Sequence, residues 1–208
     1  MASTSSTSPP KVGEPAWDIA RLFPDQGFWD EEDYLALDTN RLVEFTDGCV
    51  EVLPMPKPSH QRIVAFLFSL LNAFVTPRKL GEVLFAPMPA RLRAAKYREP
   101  DILLVLTEHS ARKREKYWES PDLVIEVVSD DAESHRRDYE KKRDDYAEGG
   151  VTEYWIVDPQ EQRITVLKLA GNKYEVHGEF GPDATATSCL LPGFEVSTRA
   201  VFAAGCKE

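Results

Sequence analysis

The chain lacks any long apolar run. None reaches the roughly 18 residues that a bilayer-spanning helix requires, so no membrane partner is expected. Cysteine is scarce as well. Cys49, Cys189 and Cys206 are the three in 208 residues, far apart and in no paired spacing. That count excludes a disulfide framework and a cysteine-rich zinc site, and it suits a reducing cytoplasm. Positive charge is not in excess either: 25 Lys and Arg face 35 Asp and Glu, a net charge of −10. This argues against a protein that coats nucleic acid or anionic membrane by bulk charge. There is no internal repeat and no glycine pattern of a phosphate- or dinucleotide-binding loop. No Ser or Cys stands at a nucleophile–base spacing.

What is present suits a soluble globular protein. The chain is 42% hydrophobic and 29% charged, enough to bury a core over a length typical of one domain. Residues 1–16 are rich in Ser, Thr and Pro without an apolar stretch and read as a disordered tail, not a signal peptide. Residues 17–208 are expected to form a single domain. Charge is spread unevenly. Between Glu14 and Glu51 there are 11 acids against two basic residues, whereas Arg78 to Lys116 carries ten basic residues against five acids. Such a basic middle in an acidic chain fits focused phosphate contact, with Arg91, Arg93, Lys96, Arg112, Lys113 and Arg114 as candidates. The alternative is an ordinary solvated loop.

Leu42 to Leu53 alternates around Asp47-Gly48, the signature of a β-hairpin, with Glu44 and Glu51 on its two arms. After a Pro-rich break, Ser59 is placed to cap a helix that runs to Val75 and stops before Pro77. Its wide apolar stripe predicts burial, partly at a subunit interface. Glu82–Ala86, Arg98–Leu106 and Asp122–Ser129 read as strands, the last two apolar enough to be covered on both faces. Asp131–Gly149 reads as a highly charged helix and Glu153–Asp158 as a further strand. Arg163–Lys168 and Lys173–His177 read as a hairpin around Gly171-Asn172. The tail, Thr185 to Phe202, is expected to give one strand and a short turn. The order predicts a mixed α/β fold with a central sheet.

Two acids sit where apolar residues belong. Asp101 and Glu126 each interrupt a run of Leu, Ile and Val, and a buried carboxylate is costly unless paired or metal-bound. Adjacent strands can bring the two together, and their mutual repulsion then favours a cation such as Mg²⁺ or Mn²⁺. Asp122 shares a strand face with Glu126 but lies about 13 Å away at ~3.3 Å per residue, too far to share one ion. The alternative for both acids is a structural ion pair with Arg or Lys. Asp138, Lys142 and Tyr146 fall on one helix face. Lys142 is either an exposed partner of Asp138 or a cation turned toward the carboxylates. His60 lies in the first turn of its helix, where a carboxylate or a metal would hold it.

Together these residues resemble a known family. The ordered series is Glu44-x-x-Asp-Gly, Ser59-His60, Pro100-Asp101, Pro121-Asp-Leu-Val-Ile-Glu126-Val-Val-Ser129, Asp138-x-x-x-Lys142-x-x-x-Tyr146, Gly150-Val151 and Glu153-Tyr-Trp-Ile-Val-Asp-Pro159. It is similar to the Uma-two family of restriction-endonuclease-like proteins in the PD-(D/E)XK nuclease superfamily. The likeness continues through Leu191-Pro-Gly-Phe194 and Val201-Phe202. It implies a restriction-endonuclease-like core of helix, three strands, helix, strand, with extra hairpins at both ends. It also implies a Mg²⁺- or Mn²⁺-dependent endonuclease acting on DNA. Asp101 and Glu126 would hold the metal, Glu44 and His60 would be auxiliary site residues, and Lys142 would stand for the superfamily lysine, displaced from the position that Val128 occupies. A homodimer is expected of an enzyme that cuts both strands. The competing reading is a catalytically silent nuclease-fold module that binds protein or nucleic acid.

Overall fold

A computed structural model describes residues 23–39, 41–129 and 137–206. The expected tail at 1–16 lies outside them, as do residues 131–136 of the expected charged helix and the side chain of Asp138. The chain begins with α1 (Glu31–Leu35), β1 (Val43–Thr46), β2 (Cys49–Val52), α2 (Pro58–Val75), β3 (Gly81–Phe85), β4 (Ala90–Arg93), β5 (Lys96–Arg98) and β6 (Ile102–Leu106). A 3₁₀ segment (Thr107–Arg112), β7 (Trp118–Glu119) and β8 (Leu123–Val127) follow, then a π-helical turn (Arg137–Lys141) continuous with α3 (Lys142–Glu148). The last elements are β9 (Glu153–Asp158), β10 (Arg163–Ala170), β11 (Lys173–Phe180), β12 (Thr185–Thr187), β13 (Glu195–Ser197) and α4 (Thr198–Gly205). No helix among the described residues is long and apolar enough to cross a membrane.

The larger sheet has the order β11-β10-β9-β8-β6-β3. Its neighbours are antiparallel except β8 and β9, which run parallel and therefore need the crossover that α3 helps to supply. The sequence α2, β3, β6, β8, α3, β9 is the helix, three-strand, helix, strand core that the family resemblance implies. A second sheet, β2-β1-β5-β4-β7, contains the N-terminal hairpin. Asp47 and Gly48 at its tip have φ of 46° and 86°, the paired positive values that a tight hairpin turn demands.

Alternation along β8 sets the layers. Leu123, Ile125 and Val127 pack with Ile63, Leu67, Leu71 and Val75 of α2 and with Val201 and Phe202 of α4. Val124 and Val128 face the other way, toward Tyr146 and Ala147 of α3 and Ala90 and Leu92 of β4. Glu126 is in phase with Val124 and Val128, so it points between the large sheet and α3.

Three expectations are corrected. The continuous strand Arg98–Leu106 is two strands in two sheets, because Glu99-Pro100-Asp101 crosses from one to the other and Pro100 has no N–H for a ladder. The cap of α2 is Lys57 rather than Ser59; Pro58 takes the first helical position, where its missing N–H would be unpaired in any case. The tail forms two paired strands and the eight-residue α4, capped by the Ser197 side chain and tied to α2 by a hydrogen bond from the Arg62 guanidinium to the Gly205 carbonyl.

Candidate active site

The break between β5 and β6 places Asp101 beside the end of β8. The Val127 N–H donates to Asp101 Oδ2 at 2.7 Å. The same oxygen lies 3.2 Å from Nε2 of His60, in the first turn of α2. One residue back along β8, Glu126 Oε1 accepts from Lys142 Nζ at 2.8 Å and from the Tyr146 hydroxyl at 2.5 Å. Lys142 and Tyr146 are four residues apart on α3, so one helix face presents both donors. Lys142 Nζ is also 3.7 Å from Oε1 of Glu44, on β1. These contacts make two groups, Asp101 with His60 and Glu126 with Lys142 and Glu44, which adjoin along β8 because Asp101 accepts from the N–H of Val127, the residue after Glu126.

Further charges lie behind them. Glu44 Oε2 is 3.3 Å from Arg98 Nη1. Arg98 donates to Asp145 Oδ2 at 2.9 and 2.6 Å, and Lys96 donates to Asp145 Oδ1 at 2.5 Å. Glu44 and Arg98 are each 1% exposed, Lys142 2% and Glu126 3%. Charges so far from water are tolerable because each acid here meets a base. Burial raises the Asp145 carboxyl, yet Arg98 and Lys96 outweigh it and hold it below its ordinary value. Burial pushes Glu99 up to about 7, opposed by the Val43 N–H and reinforced by Glu44. Burial lowers His60, but the Asp101 carboxylate more than offsets it, with Glu126 adding to the effect, and the imidazole is raised overall. Tyr146 is driven far above its normal range by burial and by Glu126, so it stays a neutral donor.

Asp122 is committed elsewhere, at the opposite end of β8. It accepts from the Leu106 N–H and Arg112 and lies 2.7 Å from His109 Nδ1, fixing the loop that follows β6. The basic candidates each face an acid of the same chain: Arg91 meets Glu31, Arg93 meets Asp47 and Glu148, and Lys96 meets Asp145 and Glu148. Arg112 meets Asp122, Lys113 meets Glu82 and Arg114 meets Glu119. Lys96 is buried, whereas Arg114 is half exposed. Arg98, Asp145 and Glu99 escaped the sequence reading. Charge counting groups Arg98 with the basic stretch, although its place directly before Glu99-Pro100-Asp101 is the signal that it belongs to the cluster.

His60 and Asp101 also line a cavity of about 580 Å³ between α2 and the start of β6. His60 Nδ1 is buried there without a hydrogen-bond partner. Asp101 and Glu126 are hard oxygen donors of the kind Mg²⁺ and Mn²⁺ take, and Mg²⁺ is commonly held by one or two carboxylates plus waters. Among the described residues no group of three or more His, Cys, Asp or Glu is arranged around one metal position. By the chemistry of their donors, two carboxylates are compatible with a cation that keeps most of its waters and do not make the four-ligand set of a structural zinc site.

The Uma2 family model, described as "Putative restriction endonuclease", matches residues 31–200. The fold is similar to the crystal structure of "a putative nuclease belonging to DUF820 from Anabaena variabilis", with a TM-score of 0.69 and 21% sequence identity. That similarity covers 84% of this chain and 98% of the other. No curated protein matches the chain.

Proposed function

The chain belongs to the Uma2 family of restriction-endonuclease-like proteins, and from that premise we propose that it is a metal-dependent endonuclease that hydrolyses DNA phosphodiester bonds. The observation that carries the reading is the Lys142 ammonium, turned inward at 2.8 Å from Glu126 beside the Asp101–His60 pair. In the proposal Asp101 and Glu126 hold Mg²⁺ or Mn²⁺. A bound divalent ion supplies polarisation of a phosphoryl oxygen and a more acidic water. Lys142 stabilises the negative charge that builds on the phosphate. Lys141 is less suited to that role, since it is half exposed and its Nζ lies 3.5 Å from Glu51. His60 and the Val127 N–H orient Asp101, Tyr146 orients Glu126, and Glu44 with Arg98 keeps Lys142 in place. Lys113 and Arg114 reach phosphates by exchanging their acidic partners, Arg91, Arg93 and Arg112 do so only where their ion pairs open, and Lys96 supports Asp145. A homodimer would let two such sites cut both strands.

Incubation of plasmid and single-stranded DNA with Mg²⁺ or Mn²⁺ tests this. The wild type is expected to cut, and Asp101→Ala and Glu126→Ala are expected to be inactive while retaining their circular dichroism spectra. Cleavage that survives both substitutions would sink the site assignment. A wild type that neither cuts nor binds Mn²⁺ by calorimetry would leave the silent binding module as the better reading.

A further inference from the structure

We propose that the cavity beside Asp101 receives an unpaired base of the strand being cut. This rests on the nuclease reading and names the substrate form that the site would take. The cavity and the candidate site share His60 and Asp101. A phosphate held at Asp101 therefore brings the flanking nucleotide to the cavity mouth, since a stacked strand advances only about 3.4 Å per nucleotide.

The walls suit a base and not a sugar-phosphate. Met55, Phe68 and Phe85 form an apolar side, and the rings of Phe68 and Phe85 meet edge to face at 4.8 Å. Phe85 is 50% exposed and Met55 59%, an unusual placement for large apolar groups beside a charged site. Every nucleobase has a π-face, so an aromatic wall binds bases without regard to sequence. Besides His60 and Asp101, the lining includes the polar side chains of Thr39, Arg41, Gln61 and Ser69, and two of these suit a nucleotide. The amide of Gln61 has no described partner and matches the donor and acceptor edge of a base. Arg41 is exposed, and its guanidinium meets no described acid, unlike the paired arginines of the basic stretch. It is complementary to the backbone on either side of an inserted base. The volume, about 580 Å³, falls within the roughly 300–1,000 Å³ of small-ligand sites. A base stacked and paired in a duplex cannot enter, so single strands, flaps and mismatches are the preferred substrates.

The test separates the cavity from the chemistry. Fluorescence anisotropy in EDTA measures binding of a labelled single-stranded 12-mer, and of its duplex, to wild type, Phe85→Ala and Arg41→Ala. Thermal melting checks that both variants fold. The wild type should bind the single strand more tightly than the duplex. Phe85→Ala should weaken single-strand binding about 5- to 150-fold, as loss of one stacked base does, and leave duplex binding unchanged. Arg41→Ala should weaken it less. A 2-aminopurine in the strand should change its emission on binding to wild type but not to Phe85→Ala. Equal single-strand affinity for wild type and Phe85→Ala overturns the proposal, even if Mg²⁺-dependent cleavage stands. Phe85-dependent binding without any cleavage overturns the nuclease reading and leaves the base site. A wild-type dimer in light scattering that Phe85→Ala dissociates assigns the cavity to a second copy and also overturns the proposal.

Discussion

Glu126 shows at the residue scale why a charge can sit inside a strand of Leu, Val and Ile. Its Oε1 takes one charged and one neutral donor, both from α3. Removing one partner of a buried pair is expected to cost more than the pair's net worth, because the other is left stranded. Lys142→Met should therefore destabilise the protein by about 3–5 kcal/mol in urea denaturation. Combining it with Glu126→Gln should cost less than the two separately, a coupling that a double-mutant cycle reads directly. Tyr146→Phe should cost about 1–3 kcal/mol, since it removes a single neutral donor. Asp145 gives a pH signature. Its folded value is depressed, so its ion pairs add stability above the unfolded value of about 4, and that stability is lost as pH falls through the folded value. The urea midpoint of Asp145→Asn should lie below wild type at pH 7 and converge with it below about pH 4. The acids were legible in the sequence because a carboxylate in an apolar run has few uses. The bases behind them were not. Counting charge along the chain treats Arg98 and Lys96 as surface residues, yet all of β5 is buried, and its neighbours belong to segments about 50 residues away in the chain.

At the scale of elements, length decided what could be read. The hairpin at Asp47-Gly48, the long α2 and the apolar β8 and β9 all announce themselves by period or by turn chemistry. Elements of two to four residues, such as β4 and β7, carry too few positions to show a period, and their strands form because neighbours supply the ladder. The C-terminal segment depends on one side chain that periodicity does not flag. Glu153 is fully buried at the start of β9, and it accepts from the Trp155 indole, the Ser188 hydroxyl, the Cys189 and Leu190 N–H groups and the Cys189 thiol. It thereby pins the turn that leads to β13 and α4. Burial, reinforced by the same carboxylate, pushes the Cys189 thiol up to about 12, so it remains a neutral donor at physiological pH. Glu153→Ala strands several buried donors at about 1–3 kcal/mol each. It should lower stability by at least about 3 kcal/mol and speed amide exchange at 189 and 190. Unchanged protection there would mean that the turn is held by its apolar contacts alone.

For the whole molecule, the net charge of −10 and the basic middle of the chain predict how it would meet DNA under the proposed function. Six basic residues from that stretch looked like a phosphate-binding surface, but each faces an acid of the same chain, and Lys96 is buried. A phosphate must displace those acids, so the exposed Arg41 and Arg114, and Lys113 whose acidic partner Glu82 is itself half exposed, contribute at the least cost. Each phosphate neutralised on a single strand steepens the plot of log affinity against log salt by about 0.7. Three contacts thus predict a slope of about −2, against about −4 if all six candidates engage. Binding titrations in EDTA between low and physiological salt measure it. The shallow slope is expected, together with weak overall affinity, because an acidic molecule gains little from long-range attraction. A slope near −4 would mean that the internal ion pairs open on binding. In that case Lys113→Gln and Arg114→Gln should each flatten the slope by about 0.7, and so should Arg91→Gln and Arg93→Gln. If the pairs stay closed, the last two substitutions leave the slope unchanged and reduce only the stability of the hairpin and α1 that Asp47 and Glu31 anchor.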